Sequence, residues 1–324
     1  MNDESNTILR AGELLAKLRA SVGNALVGQT AVVDQTIIAL CVSGHVLIEG
    51  VPGLGKTLLI RALAQAMSLN VARIQFTPDL MPSDITGHAV LDTATRELRI
   101  VRGPVFTNML LADEINRAPA KTQSALLEVM QEYQVTLEGQ TLTLPKPFIV
   151  LATQNPVETE GTYPLPEAQL DRFLLKIVMN YPSAAEEVDV VLRTTTGKSG
   201  DQLPLSGVTP ILNEKAVLAL QSLTARQQVD PAVIDYAVRI ARATREWPGI
   251  AMGAGSRGPI ALVRAAKAVA LMDARSFVIP DDVKSAVLGV LRHRIVLSAD
   301  AQLDGRRIDD LLLGILESTA APRV

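Results

Sequence analysis

The densest chemistry in the chain lies in eight residues, GVPGLGKT, running from Gly50 to Thr57. They fit the spacing G-x-x-x-x-G-K-[ST] without a substitution, after the apolar run HVLIEG and before KTLLIRALAQAM, the strand-to-helix setting that gives this spacing its meaning. Glycines let successive backbone N–H groups curl around phosphate oxygens, and the amino end of the following helix adds partial positive charge. In such a loop Lys56 reaches toward the β- and γ-phosphates of a nucleoside triphosphate, and the Thr57 hydroxyl is offered to Mg²⁺. Gly50, Val51, Pro52, Gly53, Leu54, Gly55 and the adjoining Leu58 complete the cradle.

A second group of residues stands in LLADE. Asp113, closing an apolar run, is placed to hold Mg²⁺ directly or through water, and Glu114 beside it can act as general base on an attacking water. Acidic pairs at the surface end of a strand are common, so this pair draws its meaning from the loop upstream and from a third apolar run downstream. That run ends LATQNP and sets the Asn155 amide beside the expected γ-phosphate. An Asn-Pro turn is the plain reading of the same residues; their position relative to the other two motifs favours a phosphate sensor. Two arginines follow. Arg172 in AQLDRFLLK is expected in a short helix before the apolar FLLKIV, and Arg257 in GAGSRGP opens a later helix. A planar, permanently charged guanidinium suits either residue to cancelling charge on a phosphoryl group in transfer.

These side chains converge only if a scaffold brings them together. HVLIEG, VARIQF, NMLLADE and FIVLATQ are short apolar runs of the kind that fill a buried parallel sheet. Helical spacing over 7–21, 30–43, KTLLIRALAQAM and APAKTQSALLEVMQEY alternates with them. Two segments with period two interrupt the alternation. HAVLDTATRELRIVRG turns about DTAT, and QVTLEGQTLTLP turns about Glu138-Gly139; both predict inserted β-hairpins, near 88–102 and 134–145. The residues leave open whether these are edge decorations or projecting contacts. TTTGKSGDQLPLSGVTP, residues 194–210, reads as a linker, and beyond it the pattern is purely helical: 213–225, 231–247, 257–273, 280–292 and 306–318.

Composition narrows the setting. A length of 324 residues makes two domains the default, and 48% hydrophobic with 20% charged residues places the chain among globular proteins. The net charge of −3 gives no argument for nucleic acid or an anionic membrane. The single cysteine, Cys41 in TIIALCV, cannot form an internal disulfide and reads as a small buried hydrophobe. MNDESNTILR lacks the features of a signal peptide, and no uncharged apolar run approaches the roughly 20 residues of a membrane span, so a cytoplasmic protein without membrane insertion is expected.

In order, VGQ, GVPGLGKT, LLADEINRAPAKTQSALLEVMQE, LATQNP, EAQLDRFLLK, GAGSRGPIALVRAAKA, PDDV and LRHRI resemble the MoxR family of AAA+ ATPases, over residues 24–296. The resemblance implies an α/β P-loop NTPase fold, an ASCE-type five-stranded parallel sheet over residues 1–196, then a linker at 197–210 and an all-α helical lid over 211–324. It implies a ring, usually a hexamer, that hydrolyses ATP with Mg²⁺ at subunit boundaries. Carried over by position, Lys56 and Thr57 belong to Walker A, Asp113 and Glu114 to Walker B, and Asn155 is sensor 1. Arg172 matches the arginine finger acting on the neighbour's nucleotide, Arg257 the sensor 2 arginine acting within its own subunit, and Val27 and Gly28 line the adenine pocket. Where the family often has ASPR, this chain has AGSR, so the local turn differs while the arginine keeps its place. Arg117 in INR is a second candidate for touching a neighbouring site. The hairpins then correspond to the helix-2 insertion and the hairpin before sensor 1, facing the pore or a partner. The implied work is chaperone-like remodelling of protein clients, with partners carrying a von Willebrand factor A domain.

Three other uses of a phosphate loop fit less well. A small-molecule kinase needs neither a trans arginine nor inserted hairpins, and a GTPase usually carries Asn-Lys-x-Asp, absent here. A nucleic-acid-acting ring, a helicase or loader, is the serious competitor. Residues 226–275 hold eight Lys/Arg against four Asp/Glu, and Arg239, Arg242 and Arg245 fall on one helical face. Against it, the chain is 3% aromatic and its hairpins lack stacking residues.

Overall fold

The structure, a computed structural model, describes residues 2–92, 96–155, 161–196 and 205–322. Helices α1 (Asn2–Gly23) and α2 (Thr30–Cys41) lead to β1 (Val46–Glu49), α3 (Lys56–Ala66) and β2 (Val71–Gln75). The short α4 (Pro82–Thr86) opens a hairpin of β3 (Gly87–Leu91) and β4 (Leu98–Arg102). Next come β5 (Met109–Asp113), α5 (Ala120–Glu132), a second hairpin of β6 (Gln134–Leu137) and β7 (Gln140–Thr143), then β8 (Ile149–Gln154). After α6 (Glu167–Leu170), β9 (Leu175–Val178) and α7 (Ala184–Thr195), the chain enters α8 (Glu214–Ala225), α9 (Pro231–Ala243), β10 (Ile250–Met252) and α10 (Arg257–Met272). It ends with α11 (Pro280–Leu291), β11 (Val296–Leu297), α12 (Ala299–Leu303) and α13 (Ile308–Ser318).

Five strands form one parallel sheet in the order β2-β5-β8-β1-β9. The three central strands are buried almost throughout, which is why they read as continuous apolar runs. The fifth strand, from FLLKIV, pairs with β1 at the edge. Crossovers through helices keep every strand parallel, so all carboxyl ends emerge on one side, where ligands of open α/β sheets gather.

Apolar side chains cover both faces. On one face α5 and the roots of the hairpins pack through Leu126, Leu127, Phe148 and Phe173. On the other a single cluster runs from Leu15, Leu18 and Ile37 through Leu63 into Leu262, Val283 and Val287 of the lid. The helical part therefore shares a core with the sheet domain. Where the linker is described it is anchored: the Ile211 and Leu212 N–H groups donate to the Ala66 carbonyl at 2.6 and 3.0 Å, and the Thr209 N–H to Ser21 Oγ at 2.9 Å. Residues 197–204 of that segment lie outside the described residues.

Three features depart from the sequence pattern. The lid is not purely helical, since β10 and β11 form an antiparallel pair; strands of three and two residues are too short to show a period of two. Helix α7 carries no buried side chain, so it has no core stripe to announce it, although its Ser183–Glu186 capping box is legible. Arg172 lies beyond the end of α6, in the turn before β9, rather than in the short helix.

Both hairpins stand outside the main sheet. Glu138 and Gly139 take φ of 47° and 77°, the pair of positive values that a two-residue hairpin turn requires. At the root of the first hairpin, β3 and β4 approach so closely that a Cβ on Gly87 would come within 2.2 Å of the Val101 carbonyl oxygen. Its tip carries exposed Leu91 and Leu98 opposite each other; the turn expected at DTAT falls on 92–95, of which 93–95 lie outside the described residues.

Cys41 is buried as expected, and burial pushes its thiol up to about 12. His45, buried before β1, accepts the Val150 N–H on Nδ1 and donates from Nε2 to the Met130 carbonyl, each at 3.0 Å. Burial pushes its imidazole from 6.5 down to about 4. The unfolded chain takes up this proton as pH falls through 6.5 while the folded chain resists until about 4, so the stability is intact above 6.5 and lost across that interval. Denaturant unfolding at pH 7, 5.5 and 4.5 should show this loss, about 3 kcal/mol from His45 if the whole interval is crossed. His45→Gln should be less stable at pH 7 and lose less on acidification.

Candidate active site

The strand order places the end of β8 between those of β1 and β5, so the glycine loop, Asn155 and the Asp113-Glu114 pair emerge side by side. The Gly50 N–H donates to the Gln154 carbonyl at 3.3 Å, which ties the loop to β8. Gly53 and Gly55 both have φ of 88°, a left-handed conformation that glycine adopts without strain. A Cβ on Gly53 would meet nothing within 4 Å, so the loop faces open space. Helix α3 starts at Gly55 without a side-chain cap, leaving its first N–H groups available to an anion. Lys56 Nζ, at the same place, donates to the Gly50 carbonyl at 2.5 Å. Uncapped N–H groups and an ammonium around an open loop fit a polyphosphate. Thr57 and Asp113 offer only one hydroxyl and one carboxylate, a donor set that suits Mg²⁺, which keeps waters and substrate phosphates around it.

Gly28 lies against the start of α7, and Val27 before it is half-buried. Gly28 has φ of 72°, and a Cβ there would come within 2.8 Å of the Glu186 carboxyl carbon. Gln29 Nε2 donates to the Asn180 carbonyl at 3.0 Å and holds this turn in place.

The acidic pair is held by residues that sequence reading did not single out. Asp113 Oδ1 accepts the Thr153 hydroxyl at 2.5 Å, and Oδ2 accepts Arg73 NH2 at 2.7 Å and Nε at 3.2 Å. Thr153 Oγ1 in turn accepts the Glu114 N–H at 2.9 Å. Glu114 itself has φ of 57° and ψ of 50°, a left-handed conformation that costs a residue with a side chain about 1–3 kcal/mol. Its Oε2 accepts Gln75 Nε2 at 2.7 Å and Arg117 NH1 at 3.1 Å. Arg117 is thus engaged within its own chain. Asn155 is buried at the end of β8. Register explains Gln75: it pairs with Asp113 across β2 and β5, a relation visible only once the strands are aligned.

The two arginines lie elsewhere. Arg172 NH1 donates to the Leu127 carbonyl at 3.1 Å, while its buried Nε has no partner among the described residues. Arg257 is 57% exposed, with NH1 3.5 Å from Asp171 Oδ2. Asp171 and Arg172 precede β9, which runs parallel to β1 with Leu175 opposite Val46, whereas the glycine loop follows β1. Both arginines therefore sit toward the amino end of the sheet, more than a strand length from their own loop; four residues alone span roughly 13 Å. The loop, Asp113, Glu114 and Asn155 are brought to one end of the sheet; Arg257 is brought to Asp171, the residue before Arg172.

A five-stranded parallel sheet with a phosphate loop after β1, an acidic pair at the end of β5 with β8 between the two strands, and a helical lid defines a P-loop NTPase of the AAA+ class. Residues 45–175 match the family model described as the ATPase family associated with various cellular activities (AAA), and residues 242–313 match the AAA lid domain. Protein YeaC of Bacillus subtilis (strain 168) is 43% identical over 309 residues, covering 95% of each chain. Chaperone MoxR1 of Mycobacterium tuberculosis is 44% identical over 315 residues, 92% of this chain and 80% of that protein. A crystal structure of a candidate ATPase from Cytophaga hutchinsonii superposes with a TM-score of 0.90 at 39% identity, covering 99% of this chain and 98% of the other. The chain belongs to the MoxR family of AAA+ ATPases. Among the described residues no helix is long and apolar enough to cross a membrane.

Proposed function

We propose that this ATPase hydrolyses ATP with Mg²⁺ at the subunit boundaries of a homo-oligomeric ring, of hexameric type, and uses the cycle to remodel or mature protein clients. The observation that carries this reading is the division of the site: phosphate-holding and water-activating groups gather at one end of the sheet, while both charge-cancelling arginines gather at the other. Within one chain the set stays incomplete; a neighbouring copy supplies what is missing.

Each residue then has one task. The loop N–H groups and Lys56 hold the triphosphate, Val27 and Gly28 flank the base, and Thr57 and Asp113 would hold Mg²⁺, which would offset phosphate charge. Asp113 must leave its pairing with Arg73 to do so. Glu114 takes a proton from the attacking water after its carboxylate is released from Gln75 and Arg117. Asn155 orients that water against the γ-phosphate. Arg172 of one subunit stabilises charge on the nucleotide of the next. Arg257, held against Asp171 rather than beside its own loop, serves the same neighbouring site.

The exposed apolar tip of the first hairpin supports a protein client, and by resemblance a partner with a von Willebrand factor A domain is proposed with it. The competing nucleic-acid reading loses support from its own arginines. Arg239 is engaged with Asp235 at 2.8 Å and the Ala320 carbonyl at 3.0 Å, and Arg245 with the Ala254 carbonyl at 3.0 Å, so that among the described residues only Arg242 of the three stands exposed without such a bond. Turnover per subunit should rise with protein concentration as the oligomer forms, measured alongside sedimentation. Single- or double-stranded DNA should leave it unchanged. Concentration-independent turnover would remove the shared site, and strong stimulation by DNA would favour the nucleic-acid motor.

A further inference from the structure

Away from the glycine loop, Arg294, in the lid motif LRHRI, gathers the most partners of any buried charged side chain. It is 4% exposed and follows α11, yet it reaches across to the turn before β9. Nε donates to Asp171 Oδ1 at 2.7 Å, NH2 to the Phe173 carbonyl at 2.7 Å and the Asp171 carbonyl at 3.4 Å, and NH1 to the Leu174 carbonyl at 3.1 Å and to the Val290 carbonyl. His293 adds a 3.0 Å contact from Nε2 to the same Phe173 carbonyl. The lid thus grips residues 171–174, the segment that contains Arg172.

The two oxygens of Asp171 are used differently. Oδ1 is locked by the buried Arg294, whose planar fork fixes direction as well as distance. Oδ2 is left to Arg257, exposed and 3.5 Å away, a pairing weak enough to yield to a phosphate. One carboxylate, next in chain to Arg172, therefore sets the backbone that aims one arginine and lends a resting place to the other.

We propose that Asp171 is a positioning residue for trans catalysis, anchored by Arg294 and presenting Arg172 and Arg257 as a pair to the nucleotide of the neighbouring subunit. This rests on the shared-site reading above. If Asp171 acts on the neighbour's site, a subunit lacking it keeps a competent nucleotide loop of its own and lacks only what it gives away. Asp171→Asn alone should bind ATP within about twofold of the parent and turn it over about tenfold or more slowly. Mixed with Lys56→Ala, whose loop is defective but whose segment 171–174 is intact, it should regain turnover above the sum of the two separate variants. A merely structural Asp171 gives no such rescue.

Arg172→Ala mixed with Lys56→Ala is run alongside. Rescue of Arg172→Ala without rescue of Asp171→Asn overturns the role of Asp171 and leaves the shared site standing. Failure of both mixtures overturns the shared site and this proposal with it. Parental turnover by Asp171→Asn alone also overturns the proposal. If thermal melting shows that Asp171→Asn does not fold, Asp171→Glu takes its place, because it keeps a carboxylate for Arg294 while displacing it by one methylene. Slow turnover in the folded variant, rescued by mixing, then supports the assignment, and parental turnover sinks it.

Discussion

Glu114→Gln is expected to bind ATP as tightly as the parent chain and to hydrolyse it about 10²- to 10⁴-fold more slowly, the usual contribution of a positioned general base. The substitution keeps the shape of the side chain and removes its ability to take a proton. The fold should tolerate it for a specific reason: the left-handed backbone at Glu114 is held by its own N–H on Thr153 Oγ1, and this bond does not involve the side chain. The amide oxygen of Gln can still accept from Gln75 or Arg117, which both donate to Glu114 Oε2. In the proposed site nucleotide affinity rests on Lys56, the loop N–H groups and Asp113, all untouched by the substitution. Equilibrium titration with a fluorescent nucleotide and phosphate release under saturating ATP separate the two quantities. Loss of binding with the protein folded would mean that Glu114 holds the nucleotide or its metal rather than activating water.

Arg172→Ala is expected to lower turnover of the assembled protein about 10³- to 10⁵-fold, the range for an arginine that stabilises a phosphoryl-transfer transition state, with ATP affinity little changed. Affinity and turnover separate because Arg172 precedes β9 while its own glycine loop follows the parallel strand β1. The structural penalty is small. Among the described residues the Arg172 side chain makes a single hydrogen bond, to the Leu127 carbonyl, worth about 1 kcal/mol. Sedimentation should show an unchanged oligomer, so that lost turnover cannot be assigned to lost assembly. Parental turnover in an intact oligomer would end the shared-site mechanism.

The two effects sit on opposite ends of one sheet, and the lid connects them. Arg294 grips the turn that carries Arg172, while the apolar cluster joining Leu262 and Val287 to Leu15 and Leu18 sets the lid against the sheet domain. A shift of the lid therefore has a mechanical route to Arg172.

Much of this was legible in the residues alone. GVPGLGKT, LLADE and LATQNP declared a nucleotide site because phosphate cradling, metal holding and water activation each need a particular residue type at a strand end, and a buried parallel strand announces itself as a short apolar run. Glu138-Gly139 declared a hairpin because few residue pairs accept two positive φ values. Only the tertiary structure supplied the partners of these groups. Gln75 and Arg73 reach Glu114 and Asp113 through the register of β2 on β5. Thr153 ties the two acids together from a third strand, and Arg294 meets Asp171 across 123 positions of chain. Chemistry at one position is local and is written in residue type. Which distant side chain restrains it depends on strand order and helix packing, and these emerge only when the whole core closes.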